Sequence, residues 1–370
     1  MPTPARPPDR ATGLTSCAAR FGLHAARWNN CANNASTLDW VPVALRLQQR
    51  LQAWYNESAS GGLILFLGDS VMRDVFTLAA CLLEGVNALD LRPAFMGNPH
   101  HGSASQFIFA RVRDGRGHRG VGLAGIPHGG PTLAFLWAHR VCERYTAALS
   151  CKQARSGNEL AATNWTRNLE ISLARVYGGD GLTAATSFFG TKPNPFHALA
   201  ARAGLVLHGG LAFSQGRAEA EAMMMLTHAW LRRHVRPSAV VAVMETMPAH
   251  FPQRAFGEYD PHYHPQLPAA GRRCSPHDAS LAAARPADGF RRHVATEFAA
   301  QHALPLLSTW DLARDAHDDH SLATPQLIGQ VDKRLGSFDC RHWCNPGPTM
   351  LALVARLAAF IEGHSEKRIQ

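Results

Sequence analysis

Short apolar runs alternate along this chain with longer stretches whose apolar residues recur at helical spacing. Leu63–Leu67, Gly204–His208, Ala239–Met244 and Leu304–Ser308 read as strands. Val71–Leu83, Arg217–Val235, Gly289–His302 and Thr349–Glu362 read as helices. Strands that alternate with helices predict an α/β fold, with a parallel sheet covered on both faces. The loops at the C-terminal ends of such strands are where a site is expected. Residues 1–60 read as an irregular segment carrying Trp28, Trp40 and Trp54, and the α/β body is expected over 61–365. Within that body, 84–203 reads as a large insertion or minor lobe, rich in Gly and Arg around 111–125. Met223-Met224-Met225 on the long helix reads as core packing.

Composition narrows the class. A 370-residue chain with 46% apolar and 18% charged residues is globular and long enough to bury a large core. Its formal charge of +9 is spread out, densest at Arg232-Arg233 and Arg291-Arg292, with no aromatic-interleaved basic stripe. That excludes a nucleic-acid binder and leaves a mildly positive surface compatible with acidic glycans or a phosphate-bearing acyl donor.

Two motifs carry chemistry. Gly68-Asp69-Ser70 follows the first apolar run and opens the first helix, which places Ser70 like a nucleophile beside helix amides. Its plainer reading is a polar turn capping a helix. Far away lies Asp339-Cys340-Arg341-His342-Trp343-Cys344, where an Asp and a His three residues apart can share one loop. The carboxylate of Asp339 would orient His342, leaving the other ring nitrogen to take the proton of Ser70. The alternatives for that loop are a disulfide-rich turn or a Cys/His metal site. Together the two motifs point to a Ser-His-Asp acyl-transfer enzyme with no metal.

The eight cysteines (Cys17, Cys31, Cys81, Cys142, Cys151, Cys274, Cys340 and Cys344) are compatible with up to four disulfides in an oxidising compartment. Zinc would need a second close-spaced ligand cluster, and no Cys-x-x-Cys is present in the sequence. Cys81 reads as a free buried thiol on the apolar face of the first helix. Sequons at Asn34, Asn56 and Asn164 agree weakly with a secretory route. The Pro/Arg-rich start shows no signal peptide, and no stretch reaches the length of a membrane span. Histidines cluster at Asp260-Pro261-His262-Tyr263-His264 and His317-Asp318-Asp319-His320, groupings compatible with a metal but without a fixed third and fourth ligand. On their own, His250 and His317 read as satisfied structural histidines.

The chain resembles the GDSL/SGNH hydrolase-like enzymes, and more narrowly the PC-esterase group that includes the trichome birefringence-like polysaccharide O-acetyltransferases. Four stretches between residues 63 and 347 carry the resemblance. Gly68-Asp69-Ser70-Val71-Met72-Arg73-Asp74 matches a block with Asn in the last place. Glu245-Thr246-Met247-Pro248-Ala249-His250-Phe251, with Gly271 and Cys274, resembles a second. Leu306 to His317 resembles a third, and Asp339 to Gly347 closely resembles a fourth.

The resemblance implies a three-layer SGNH-like fold and an acetyl-Ser70 intermediate, with His342 as general base. The acetyl donor, acetyl-CoA for example, is a substrate, no bound cofactor is implied, and a carbohydrate is the acceptor. It also implies a Golgi or secretory location, membrane association only through an upstream anchor, and a bridge from Cys274 to a cysteine of the C-terminal loop. His208 stands where the family has an oxyanion-holding Asn, so His208 and Gly209 are expected at the oxyanion, with the N–H groups of Gly209 and Gly210 accessible, and Arg73 at an anionic donor or the helix start. For His250 and His317 the resemblance implies a place near the site with no chemical step. The alternatives are a carbohydrate acetylesterase and a catalytically silent glycan-binding protein.

Overall fold

A computed structural model of the protein describes residues 17, 38–57, 62–96, 107–112, 120–121, 127–128, 131–137, 200–211, 214, 216–257, 274–285, 289–320 and 340–365. In chain order these residues form helix α1 (Val41–Glu57), strand β1 (Leu63–Gly68) and helix α2 (Ser70–Gly85). Strands β2 (Leu89–Met96), β3 (Phe107–Val112), β4 (Gly120–Val121), β5 (Pro127–His128), β6 (Thr132–Trp137) and β7 (Ala203–His208) follow. After them come α3 (Arg217–His234), β8 (Val240–Met244), α4 (Ala279–Ala284), α5 (Phe290–Gln301), β9 (Leu306–Leu307), α6 (Trp310–Ala313) and α7 (Pro348–Ser365).

The main sheet has the strand order β2-β3-β6-β1-β7-β8-β9. The run from β6 to β9 is parallel throughout, and β3 and β2 extend it antiparallel. Read along the chain, the five parallel strands take the order 2-1-3-4-5, which reverses between β1 and β7. Open α/β sheets bind ligands at such a reversal, beyond the strands' C-terminal ends. Those ends are Gly68-Asp69-Ser70 and His208-Gly209-Gly210.

Helices cover both faces. Ile64 and Phe66 of β1 and Leu205 and Leu207 of β7 pack in one buried cluster with α1, α2 and α7. Val243 of β8 packs on the other face with Leu211, Met224 of α3 and Val294 and Phe298 of α5. The period of two along each strand sorts its side chains between these layers.

Expectations change for α1 and for Cys81. Val41–Glu57, placed in the irregular segment, is a helix that buries Ala44, Leu47, Leu51 and Trp54. Those four residues recur at the spacing of one helical face, and burying them against the sheet's neighbours stabilises the helix. Within 84–203, the described strands β2, β3 and β6 join the main sheet. Cys81 is not a free thiol, because it is disulfide-bonded to Cys17. Cys274 is bonded to Cys340 in the C-terminal loop. No helix among the described residues is long and apolar enough to cross a membrane.

Candidate active site

The nucleophile position follows from a tight strand-to-helix turn. Strand β1 ends at Gly68, where a Cβ would lie 2.8 Å from the Cβ of Met72, so only glycine lets the chain turn there. Asp69 caps α2, its carboxylate accepting from the amide of Val71 at 3.0 Å. Ser70 is therefore the first helical residue, in the turn whose amides have no intrahelical acceptor. It is buried, and its hydroxyl Oγ lies 2.7 Å from Nε2 of His342. With Oγ as donor, Nε2 is the unprotonated nitrogen and the ring proton sits on Nδ1. Asp339, the residue expected to hold that proton, lies outside the described residues.

His342 is carried by a loop pinned at several points. The carbonyl of Asp319 accepts from the amide of Cys344 at 2.9 Å, and Oδ2 of Asp319 accepts from the amide of Thr349 at 2.8 Å, at the start of α7. Burial pushes the Asp319 carboxyl up, against the pull of the Thr349 hydrogen bonds. The amide of His250 donates to the carbonyl of Cys340 at 2.8 Å, beside the Cys274–Cys340 disulfide. His320 reaches the carbonyl of His342 itself, with Nδ1 at 3.1 Å.

Glu245, at the end of β8, anchors the opposite wall. Its carboxylate accepts from the amides of Thr309 (2.9 Å) and Trp310 (3.0 Å), the hydroxyl of Ser308 (2.8 Å) and Nε of Arg292 (2.9 Å). Burial alone would raise its pKa, but these donors hold it below the usual carboxylate range.

A small pocket opens beside the turn. Val71, Leu211, Met244, Met247 and Ala249 supply its apolar wall, with Asp69, Gly210, Arg291 and Arg341 among the rest of the lining. Arg291 also ties down the chain after β7, donating to the carbonyls of Leu211 and Ser214.

Three expected site residues are placed differently. Leu205 and Leu207 face α2, so the alternation of β7 turns His208 to the opposite face of the sheet, edge-on to Phe298 with ring centroids 6.2 Å apart. Burial, and then His228, push its imidazole down to about 3, and its Nε2 is buried without a partner. The amide of Gly209 is not available to an oxyanion, because it donates to the carbonyl of Leu67 at 3.0 Å. Gly210 comes to the turn instead, with φ +107°, so close that a Cβ would lie 2.8 Å from the amide nitrogen of Asp69. Arg73 does not open towards a donor. It is buried and paired with Asp74, Nη2 to Oδ1 at 3.1 Å.

The histidine groupings divide. Asp260 to His264 lie outside the described residues. His320 has both ring nitrogens engaged, Nδ1 with the His342 carbonyl and Nε2 with Nδ1 of His250 at 2.7 Å, which leaves no lone pair for a metal. Cys340, being oxidised, is no thiolate ligand either. The contributions of Asp319 and His320 to the loop were not foreseen. Their trace in the sequence is the His317-Asp318-Asp319-His320 grouping, which on its own points to no role in holding the loop.

No family model and no curated protein matches the chain.

Proposed function

We propose that this protein is a serine-dependent O-acetyltransferase that modifies a polysaccharide or glycan through an acetyl-Ser70 intermediate. The observation that carries the reading is the 2.7 Å contact of Ser70 Oγ with His342 Nε2 at the reversal of the parallel strand order. Oγ attacks the carbonyl carbon of an acetyl donor, such as a thioester, while Nε2 takes the hydroxyl proton. Asp339, three residues before His342, is assigned the orienting role. The resulting oxyanion is assigned to the amides of Ser70 and Gly210, the first at the positive end of α2. As the intermediate collapses, the donor's leaving group departs with the proton from His342. A sugar hydroxyl then gives its proton to the same nitrogen, attacks the acetyl carbon and releases Ser70.

The narrow apolar wall beside the turn suits a short acyl group. Disulfides at Cys17–Cys81 and Cys274–Cys340 are compatible with an oxidising compartment, which agrees with a secretory or Golgi setting. Asn56, in one of the sequons, is exposed at the end of α1.

Incubation with an acetyl donor and a panel of neutral and acidic oligosaccharides tests the reading. Acetylated sugar from the wild type and none from Ser70→Ala is the expected result. Free acetate as the sole Ser70-dependent product would make the protein an esterase instead.

A further inference from the structure

We propose that His320 is an imidazolium in the resting protein and that, shared with His250, this charge positions the loop carrying His342. The ring protons of the two histidines can be counted. His250 places Nε2 2.8 Å from the carbonyl of Arg314, and His320 places Nδ1 3.1 Å from the carbonyl of His342. A carbonyl only accepts, so both of these nitrogens carry protons. The two remaining nitrogens, Nδ1 of His250 and Nε2 of His320, face one another at 2.7 Å. If both rings were neutral, two lone pairs would meet there. The contact is a hydrogen bond only with a third proton in the pair.

The surroundings decide which ring holds it. Burial, reinforced by His320, His277 and His317, pushes His250 down to about 3, against a smaller upward pull from the Arg314 carbonyl. His250 is therefore the neutral acceptor and His320 the cation. Trp343 lies against the His320 ring with centroids 4.1 Å apart and planes at 33°, offering its π face to the charge. The neighbouring carboxyl of Asp319 has Oδ1 buried without a partner.

Other titratable groups of the described elements face the pair from several sides. His277, with its ring 4.8 Å from that of His250, uses Nε2 on the carbonyl of Ala249. His317 stands at 6.4 Å, Asp315 is exposed and paired with Arg314, and Asp318 is exposed. On the loop itself His342 and Arg341 flank the contact.

The consequence is directional. While His320 keeps its proton, one ring ties the His342 carbonyl to the Arg314 segment through His250. As pH rises and that proton leaves, the contact at 2.7 Å becomes repulsive and the loop loosens. An alkaline loss of loop order follows, and its effect on turnover rests on the acyl-transfer reading, whereas the proton count does not.

Ring-15N-labelled histidine spectra of the full chain across neutral and alkaline pH test the proposal. The expected result at pH 7 is one histidine with both nitrogens protonated, coupled through an N–H···N bond to a neutral ring. Its loss in His320→Asn assigns the coupling to the His250–His320 pair. Two neutral rings at pH 7, or no such coupling, would overturn it. His320→Asn keeps an N–H for the His342 carbonyl but cannot titrate. It is expected to lower turnover and to abolish the alkaline limb of the pH–rate profile, and an unchanged limb would refute the positioning role. Should Ser70 take up no acyl group, the function proposed above fails while the ring-proton count still decides this one.

Discussion

Ser70 and His342 stand 272 positions apart in the chain and 2.7 Å apart in the fold. Strand β1 and the cap of α2 present the first, and a loop tied to Asp319, His320 and Cys274 presents the second. The parallel sheet and this loop are the two supports of the contact, and each can be perturbed separately.

The placement of His208 distinguishes a buried packing residue from an oxyanion donor. Its imidazole, ordinarily near 6.5, is held down to about 3 by burial and His228. Between those values the unfolded chain binds a proton that the native protein does not, so stability falls as pH drops through this window. His208→Leu is expected to leave Ser70-dependent ester turnover within a few-fold of wild type. It should also make the loss of Tm between pH 6.5 and about pH 3 smaller, as read by calorimetry. A loss of turnover as large as an oxyanion donor's, roughly 10²–10³-fold, would return His208 to the site.

Gly210 is the opposite case. Its φ of +107° and the 2.8 Å gap to the amide nitrogen of Asp69 leave no room for a side chain. Gly210→Ala is expected to cost about 1–3 kcal/mol of stability through backbone strain. Displacing an oxyanion amide should lower kcat by roughly 10²-fold or more, measured on an activated acetyl ester. Native-like kcat in a folded variant would count against its assigned role.

Much of the scaffold is readable in the pattern of apolar positions. Strands β1, β7 and β8 are short continuous apolar runs, as expected for strands buried on both faces, and α2, α3, α5 and α7 follow helical spacing. The His342 motif stands out by its Asp-Cys-Arg-His-Trp-Cys composition, whereas Gly68-Asp69-Ser70 is a common tripeptide that gains weight only beside it. Strand pairing is not local, so nothing in Thr132–Trp137 announces that it lies beside β1. The face of His208 was in principle readable, since Leu205 and Leu207 fix the parity of β7. The use of the Gly209 amide depends on the β1–β7 register, and the His250–His320 contact depends on how two loops dock, so neither is written in any one segment.

The Cys274–Cys340 bridge closes a separation of 66 residues onto the loop of His342. Loop-closure entropy puts its contribution at about 4 kcal/mol. Cys274→Ser with Cys340→Ser is expected to lower both the denaturation midpoint and kcat, while KM for the acyl donor changes less. Equal kcat in the bridged and unbridged proteins, under conditions where both are folded, would show that the loop holds its geometry without the bond.

Met247 sets the depth of the apolar wall together with Val71, Leu211, Met244 and Ala249. Met247→Ala should raise kcat/KM for a butyryl ester relative to an acetyl ester by roughly tenfold, the scale of a methylene or two in a hydrophobic pocket. An unchanged ratio, read from a homologous ester series, would place the acyl chain elsewhere.

On the proposed reading, Ser70 becomes covalently acylated with His342 as its base. Intact-mass measurement of the full chain, rapidly quenched after mixing with an acetyl donor, tests it most directly, beside Ser70→Ala and His342→Ala. The expected result is a mass gain of one acetyl group on the wild type, mapped to Ser70 by fragmentation and discharged by an oligosaccharide acceptor, with the gain absent on Ser70→Ala. Accumulation slowed by several orders of magnitude is expected on His342→Ala. An unmodified wild-type protein with every donor, its fold verified, would contradict that reading, as would an adduct carried equally by Ser70→Ala.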